Sequence, residues 1–291
     1  YKLPANVVTS FVINKAQLTI TAEDKEVTYG DVVPTYTVSY NGFVNNETKD
    51  VLGGTLTFDC SYAQYSDVGE YVISASGYTS NNYKISYVDG SLKVNQKEVG
   101  LTWGEVEFTY DGQVKLPTVE ATGLVNNDVC VVTVTGEQTN AGTYEATATN
   151  LSNGNYKLPA NVVTSFVINK AVVTTPEEDE TIFTYNGKAQ TYLIESNPLY
   201  EVTGTTNTNA GTYKVVVSLL DQDNYIWSST NNANDLEYDF VINKATYDMS
   251  GISFEDITVT YDGKEHVLEV KGTLPDGVTV TYSLTECVEP G

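Results

Sequence analysis

The chain has 291 residues, 41% of them hydrophobic, so it is long enough for two or more domains and apolar enough to build cores. Its formal net charge is −23 and all fifteen basic residues are lysine. Such a chain repels phosphate backbones and lacks the arginine fork that clamps them, which argues against nucleic acid as a partner.

Cys60, Cys130 and Cys287 have no CxxC spacing and no neighbouring histidine, which argues against a zinc site. They read as small apolar residues in strands, with one inter-chain disulfide as the alternative. Apolar runs such as Val215-Val216-Val217 are far shorter than the ~20 residues a spanning helix needs, so this segment is not expected to insert in a membrane.

Residues 1–16 are identical to residues 156–171, and Tyr238-Asp239-Phe240-Val241-Ile242-Asn243-Lys244-Ala245 is a shorter echo. Repeats of this kind decide the architecture before any other reading. Three landmarks recur in a constant order. The first is a Tyr-Asp/Asn-Gly turn: Tyr110-Asp111-Gly112, Tyr185-Asn186-Gly187 and Tyr261-Asp262-Gly263, with the variant Tyr29-Gly30-Asp31. The second is Asp/Asn-x-Gly-x-Tyr, at Asp67 to Tyr71, Asn140 to Tyr144 and Asn209 to Tyr213. The third is Asn-Tyr, at Asn82-Tyr83, Asn155-Tyr156 and Asn224-Tyr225. The closing residues Asn95, Asn169 and Asn243 are spaced by 74 residues.

The chain therefore divides into the last strand of a preceding module (1–16), module A (17–95), module B (96–170), module C (171–245) and the first half of a module D (246–291). It reads as a segment of a longer array.

Each module reads as strands. Tyr144, Ala146 and Ala148 alternate with Glu145, Thr147 and Thr149, and Tyr213, Val215, Val217 and Leu219 share one face. Period two with a polar partner face means half-buried strands. The one helical candidate is Asn46 to Leu52, ended by Gly53-Gly54. Asp/Asn-Gly supplies residues that tolerate positive φ in tight turns. Asp/Asn-x-Gly-x-Tyr resembles the tyrosine corner of immunoglobulin domains. Ile73, Ala146 and Val215 stand where those domains carry cysteine, so a corner is expected without the disulfide. The fold class expected is mainly β: a tandem array of small Ig-like or β-grasp-like modules of five or six strands, arranged as an elongated rod, with at most one short helix per module.

At these residues the chain resembles the MBG and YDG families of bacterial repeat domains. Module A, with Thr28-Tyr29-Gly30-Asp31 and Gly42-Phe43-Val44-Asn45-Asn46, is similar to the YGX-type variant; modules B, C and D are similar to the YDG and related types. The resemblance implies a segment of a large extracellular, secreted or surface-anchored adhesin-like protein. It supplies no catalytic residues and does not name a ligand.

No nucleophile motif, phosphate loop or HExxH is present, and an enzyme is not expected. The single histidine, His266, follows a turn and reads as exposed. No cofactor is expected, with calcium as the outside candidate. Glu177, Asp179, Asp221 and Asp223 are its candidate ligands, because calcium takes six to eight oxygens. Solvated acidic loops are the plain alternative. The recurring Asn-Lys pair invites an isopeptide bond, yet adjacent side chains point to opposite faces of a strand. A stalk or spacer role is the first functional expectation, with neighbouring modules as partners. A module that binds host glycan or protein directly is the second, with Trp103 and Trp227 as stacking candidates. Residues 1–16 and module D are expected to complete each other head to tail by strand addition.

Overall fold

The computed structural model describes residues 10–275 and 278–281. The chain forms two compact units that part between Ala171 and Val172. Module A contains β1 (Ala16–Ala22), β2 (Lys25–Thr28), β3 (Val38–Asn41), β4 (Gly53–Asp59), β5 (Gly69–Thr79), β6 (Tyr83–Val88) and β7 (Gly90–Asn95). Module B contains β8 (Lys97–Glu98), β9 (Gly100–Trp103), β10 (Glu107–Thr109), β11 (Val119–Thr122), β12 (Val132–Thr135), β13 (Gly142–Leu151), β14 (Tyr156–Lys157) and β15 (Val163–Asn169). Module C contains β16 (Ala171–Val173), β17 (Phe183–Thr184), β18 (Gln190–Thr191), β19 (Tyr200–Thr203), β20 (Thr206–Asn207), β21 (Gly211–Leu219), β22 (Tyr225–Trp227) and β23 (Leu236–Asn243). The fold is mainly β, as the alternation implies. Seven or eight strands per module exceed the five or six expected, because many are only two to four residues long.

One four-stranded sheet recurs in the same order: β2-β7-β5-β4, β10-β15-β13-β12 and β17-β23-β21-β19. In each, the strand before the turn tyrosine runs parallel to the closing strand. The Gly-x-Tyr strand then pairs antiparallel on the closing strand's other side. The turn tyrosine donates its backbone N–H to the closing asparagine's carbonyl: Tyr29 to Asn95 at 2.9 Å, Tyr110 to Asn169 at 2.8 Å and Tyr185 to Asn243 at 2.8 Å. The closing asparagine is thus the last rung of its own sheet. A second, smaller layer holds each module's first strand. There β1 runs parallel to β6 from Ala16 opposite Tyr83, and β8 runs parallel to β14 from Lys97 opposite Tyr156.

Period two is visible in burial. Ala146 and Ala148 of β13, Phe166 and Ile168 of β15, and Val215, Val217 and Leu219 of β21 all face the core. A fully buried aliphatic or Phe side chain of this kind contributes about 1.5–3 kcal/mol. The hydroxyls of Tyr71, Tyr144 and Tyr213 donate to the carbonyls of Asp67, Asn140 and Asn209, four residues earlier, at 2.7, 3.1 and 3.0 Å. The corners therefore form without a disulfide, as expected.

Two expectations are corrected. The helix expected from Asn46 to Leu52 is a single 3-10 turn, Lys49–Val51, capped by Thr48. Asn45 and Asn46 are left-handed at φ 55° and 58°, which no helix accepts, and Gly53–Gly54 opens β4. Cys60 and Cys130 flank strands rather than lie in them: both are free, and Cys130 is buried while Cys60 packs against the same cluster. Cys287 lies outside the described residues. Residues 10–15 pair with no sheet, although the same sequence forms β15. Phe11, Val12 and Ile13 are 81–85% exposed, against 1% for Phe166 and Ile168. A strand needs a sheet beside it, and these residues have none here; residues 1–9 lie outside the described residues. In module D the described residues hold no strand, and Ser253 bridges Lys271.

Sequence reading passed over one recurring glycine. Gly136 and Gly204 follow β12 and β19 with φ of +106° and +75°. A Cβ there would sit 2.4 Å from the Glu145 carbonyl oxygen or 2.3 Å from that of Lys214. Both the conformation and the close backbone approach demand glycine. Gly136→Ala or Gly204→Ala should each cost about 2 kcal/mol or more in denaturant unfolding. Gly154→Ala, where a Cβ meets nothing within 4 Å, should be near neutral.

Candidate functional site

A polar cluster lies where module A meets module B, inside the first compact unit. It begins from a turn. Val125-Asn126-Asn127-Asp128 runs through two left-handed asparagines, φ 54° and 56°, a conformation asparagine tolerates better than most residues. The turn aims Asp128 at the Asn-Tyr landmark of its own module. Tyr156 donates its hydroxyl to Asp128 Oδ2 at 2.8 Å and accepts the Val125 backbone N–H at 2.9 Å.

Module A supplies the third member. Tyr29, at its Tyr-Gly turn, donates to the same Asp128 Oδ2 at 2.8 Å. Its ring stands edge-on to that of Tyr156, centroids 5.4 Å apart. Both rings are almost wholly buried. Burial, reinforced by the hydrogen bond to Asp128, pushes the Tyr29 hydroxyl up to about 12. Burial also raises that of Tyr156. Gly30 lets the turn close on module B: a Cβ there would meet the Val125 side chain at 2.9 Å, and its φ is +92°.

Asn155 makes a second clasp. Its Oδ1 accepts the Val68 backbone N–H at 2.9 Å, and its Nδ2 donates to Asp67 Oδ1 at 2.8 Å. Asp67 and Val68 belong to module A's tyrosine corner. Gln96, between the modules, donates to the carbonyls of Gly154 and Tyr156 at 2.9 and 3.1 Å. Beneath these bonds one apolar cluster runs through both modules, from Ile73, Leu92 and Val94 to Val99, Cys130 and Tyr156. The arrangement has no open reacting centre. It fixes one module to the next.

The residues singled out from sequence take up local duties. Asp179 accepts the backbone N–H groups of Thr181 and Leu193 at 2.9 and 2.7 Å. Asp221 caps Asn224 through its backbone N–H at 3.1 Å and its side-chain amide at 2.8 Å. Glu177 and Asp223 are not brought together with them: among the described residues no three His, Cys, Asp or Glu side chains gather into a metal site. His266 Nε2 lies 2.9 Å from Asp262 Oδ1 on the same turn. Trp227, read as a sugar-stacking candidate, is fully buried and donates its Nε1–H to the Asn234 carbonyl, so its face is not available. Trp103 is half-buried against the core of module B. The closing asparagines hold the parallel strand: Asn169 Nδ2 donates to Glu107 Oε1 and Asn243 Nδ2 to the Phe183 carbonyl.

Sequence reading missed Asp128. Its signal was present: Gly123-Leu124-Val125-Asn126-Asn127-Asp128 parallels Gly42-Phe43-Val44-Asn45-Asn46-Glu47 in sequence, with both Asn pairs left-handed.

The fold and the joint define a β-module repeat protein in which modules A and B are bonded to each other. Residues 18–93, from within β1 to within β7, match the family model for the MBG domain (YGX type), and this stretch is similar to that domain. No curated protein matches the chain.

Tyr29→Phe removes one of two donors to Asp128 and should cost the first compact unit about 1–2 kcal/mol. Asp128→Ala leaves two buried hydroxyls without their acceptor and should cost more, roughly 3 kcal/mol. Because the folded Tyr29 hydroxyl titrates near 12 and an unfolded tyrosine near 10, its stabilisation is complete below about pH 10 and is lost as the pH rises toward 12. Denaturant titration of wild type and Tyr29→Phe across that window measures it: the difference between them should shrink with rising pH.

Proposed function

We propose that the chain is a stalk segment of an extracellular or surface-attached adhesin-like repeat protein. The match at residues 18–93 supports an adhesin-like repeat module. The observation that carries the stalk reading is the A–B joint. A spacer that projects a head must not fold back at its joints. Here only Gln96 separates β7 from β8, and the junction is closed by two tyrosines on one carboxylate and by Asn155 on the preceding corner. One residue is too short for a flexible tether. Among the described residues no helix is long and apolar enough to cross a membrane.

The test is a distance distribution. Nitroxide labels at exposed Lys84→Cys in module A and Glu145→Cys in module B, with Cys60, Cys130 and Cys287 replaced by alanine, should give one narrow distribution. A broad distribution spanning many orientations would remove the stalk reading.

Self-association belongs to the same proposal. In module B the closing strand pairs Glu107 with Val167, Phe108 with Ile168 and Thr109 with Asn169. The copy at residues 1–16 carries Val12, Ile13 and Asn14 at the matching positions, with the first two over 80% exposed. Module D carries Thr258, Val259 and Thr260 before Tyr261, with Val259 half-exposed and in no strand. Strand addition between molecules in that register would bury both apolar faces. Sizing chromatography should show concentration-dependent oligomers that disappear on deleting residues 1–16. Oligomers unchanged by the deletion would defeat this part of the proposal.

A further inference from the structure

The face of module B that grips module A is repeated on module A itself. Val44 stands for Val125, Glu47 for Asp128, Asn82 for Asn155 and Tyr83 for Tyr156. The equivalence is structural. Asn45 and Asn46 take the same left-handed turn as Asn126 and Asn127. Tyr83 accepts the Val44 backbone N–H at 3.1 Å and donates to Glu47 Oε2. β1 starts beside Asn82-Tyr83 as β8 starts beside Asn155-Tyr156, with Ala16 N–H to the Asn82 carbonyl at 3.0 Å and Lys97 N–H to that of Asn155 at 3.0 Å. The Glu47 hydrogen bond, together with burial, raises the Tyr83 hydroxyl.

What differs is the occupant. Val125 is half-buried under the Tyr29-Gly30 turn, whereas Val44 is 48% exposed. Asn155 is half-buried on Asp67 and Val68, whereas Asn82 is exposed. Phe43, larger than Leu124, already stands edge-on to Tyr83. The surface left open is therefore the carboxylate, Val44 and the Asn82 amide.

We propose that this face of module A is the docking site for another module of the same type, joined N-terminally through Asn14-Lys15-Ala16. That module would present a tyrosine–glycine turn to Glu47 and Val44, and an Asp-x-Gly-x-Tyr corner to Asn82. The occupant follows from the A–B joint, where the same residues at the same offsets already hold those two features. The spacing agrees: Asn95 precedes the first residue of β8 by two positions, as Asn14 precedes the first residue of β1. Module C does not carry this face, because Asn224 is buried with its amide turned onto Asp221. The inference rests on the stalk reading, but the labels in modules A and B test that reading separately.

The experiment uses the full chain with a second copy of residues 16–95 placed ahead of Lys15, so that Asn95 of the added copy enters an Asn-Lys-Ala joint. Amide hydrogen exchange is followed at Val68 of both copies. Resident Val68, held by Asn155, is the internal standard and should speed up about tenfold or more in Asn155→Ala. Val68 of the added copy should be protected as well, and should lose about tenfold or more of that protection in resident Asn82→Ala, with resident Val68 unchanged. Tyr29→Phe in the added copy and Glu47→Gln in the resident module should then be non-additive in unfolding, by about fivefold or more in the equilibrium constant. Equal exchange at the added Val68 with and without Asn82, or strict additivity of that pair, would overturn the proposal. So would a dimer of the natural chain that is lost in Asn82→Ala, which would assign the face to a second copy.

Discussion

A single carboxylate oxygen, Asp128 Oδ2, receives hydroxyls from two tyrosines of different modules. The first compact unit depends on that convergence. A half-buried carboxylate without a cation is costly unless donors surround it. This chain has no arginine and only fifteen lysines among 291 residues, so it cannot spend a guanidinium at each joint. Tyrosine serves instead. Its ring adds to the apolar cluster shared by the two modules, and its hydroxyl satisfies the carboxylate. The surface ion pairs do much less. Lys93–Glu26, Lys157–Glu98 and Lys214–Asp239 are all well exposed, and pairs of that kind contribute little.

The landmark residues have two duties, one inside a module and one at its boundary. Tyr29 uses its backbone N–H to finish its own sheet on Asn95 and its hydroxyl to enter the next module. Asp67 offers its carbonyl to the Tyr71 corner and its side chain to Asn155. Neither duty can be met if the turn shifts by one residue, because the sheet register and the joint would then disagree. In module A the two duties therefore fix the turn and the corner in one register. This double use also couples the stability of module A to that of module B, since the buried Tyr29 gives its hydroxyl to Asp128 of module B.

Local signals were legible in the sequence; signals that join distant residues were not. Alternation at Ala146 and Ala148, or at Val215 and Val217, is a property of neighbouring residues, and burial follows it. The corner tyrosines reach back only four residues, so their motif contains both partners. Asp128 and Tyr29 are 99 residues apart, and no window contains both. The stretch after Gly42 misled for a local reason. Charged and polar residues from Asn46 to Lys49 look helical in composition, yet Asn45 and Asn46 together form a left-handed turn that outweighs propensity. The duties of Asp179 and Asp221 also lay beyond composition: both accept backbone or amide donors within a few residues or one strand of their own position.

The direction of one asparagine separates the modules. In B, the Asn of the Asn-Tyr pair turns outward and binds the backbone and side chain of its neighbour's corner. In C, the same residue turns inward to Asp221 and is buried. The cause is the residue three positions earlier: Asp221 in C can accept the Asn224 amide, whereas B has Ser152 there, which instead receives the Val131 N–H. A carries Thr79, another short hydroxyl, and its Asn82 is exposed. An array of such modules therefore need not have one kind of joint. In module C the acid before the Asn-Tyr pair takes up the asparagine amide, whereas in module B, with a hydroxyl there, the asparagine reaches module A. The chemistry of each joint is then written locally, a few residues from the tyrosine that closes it.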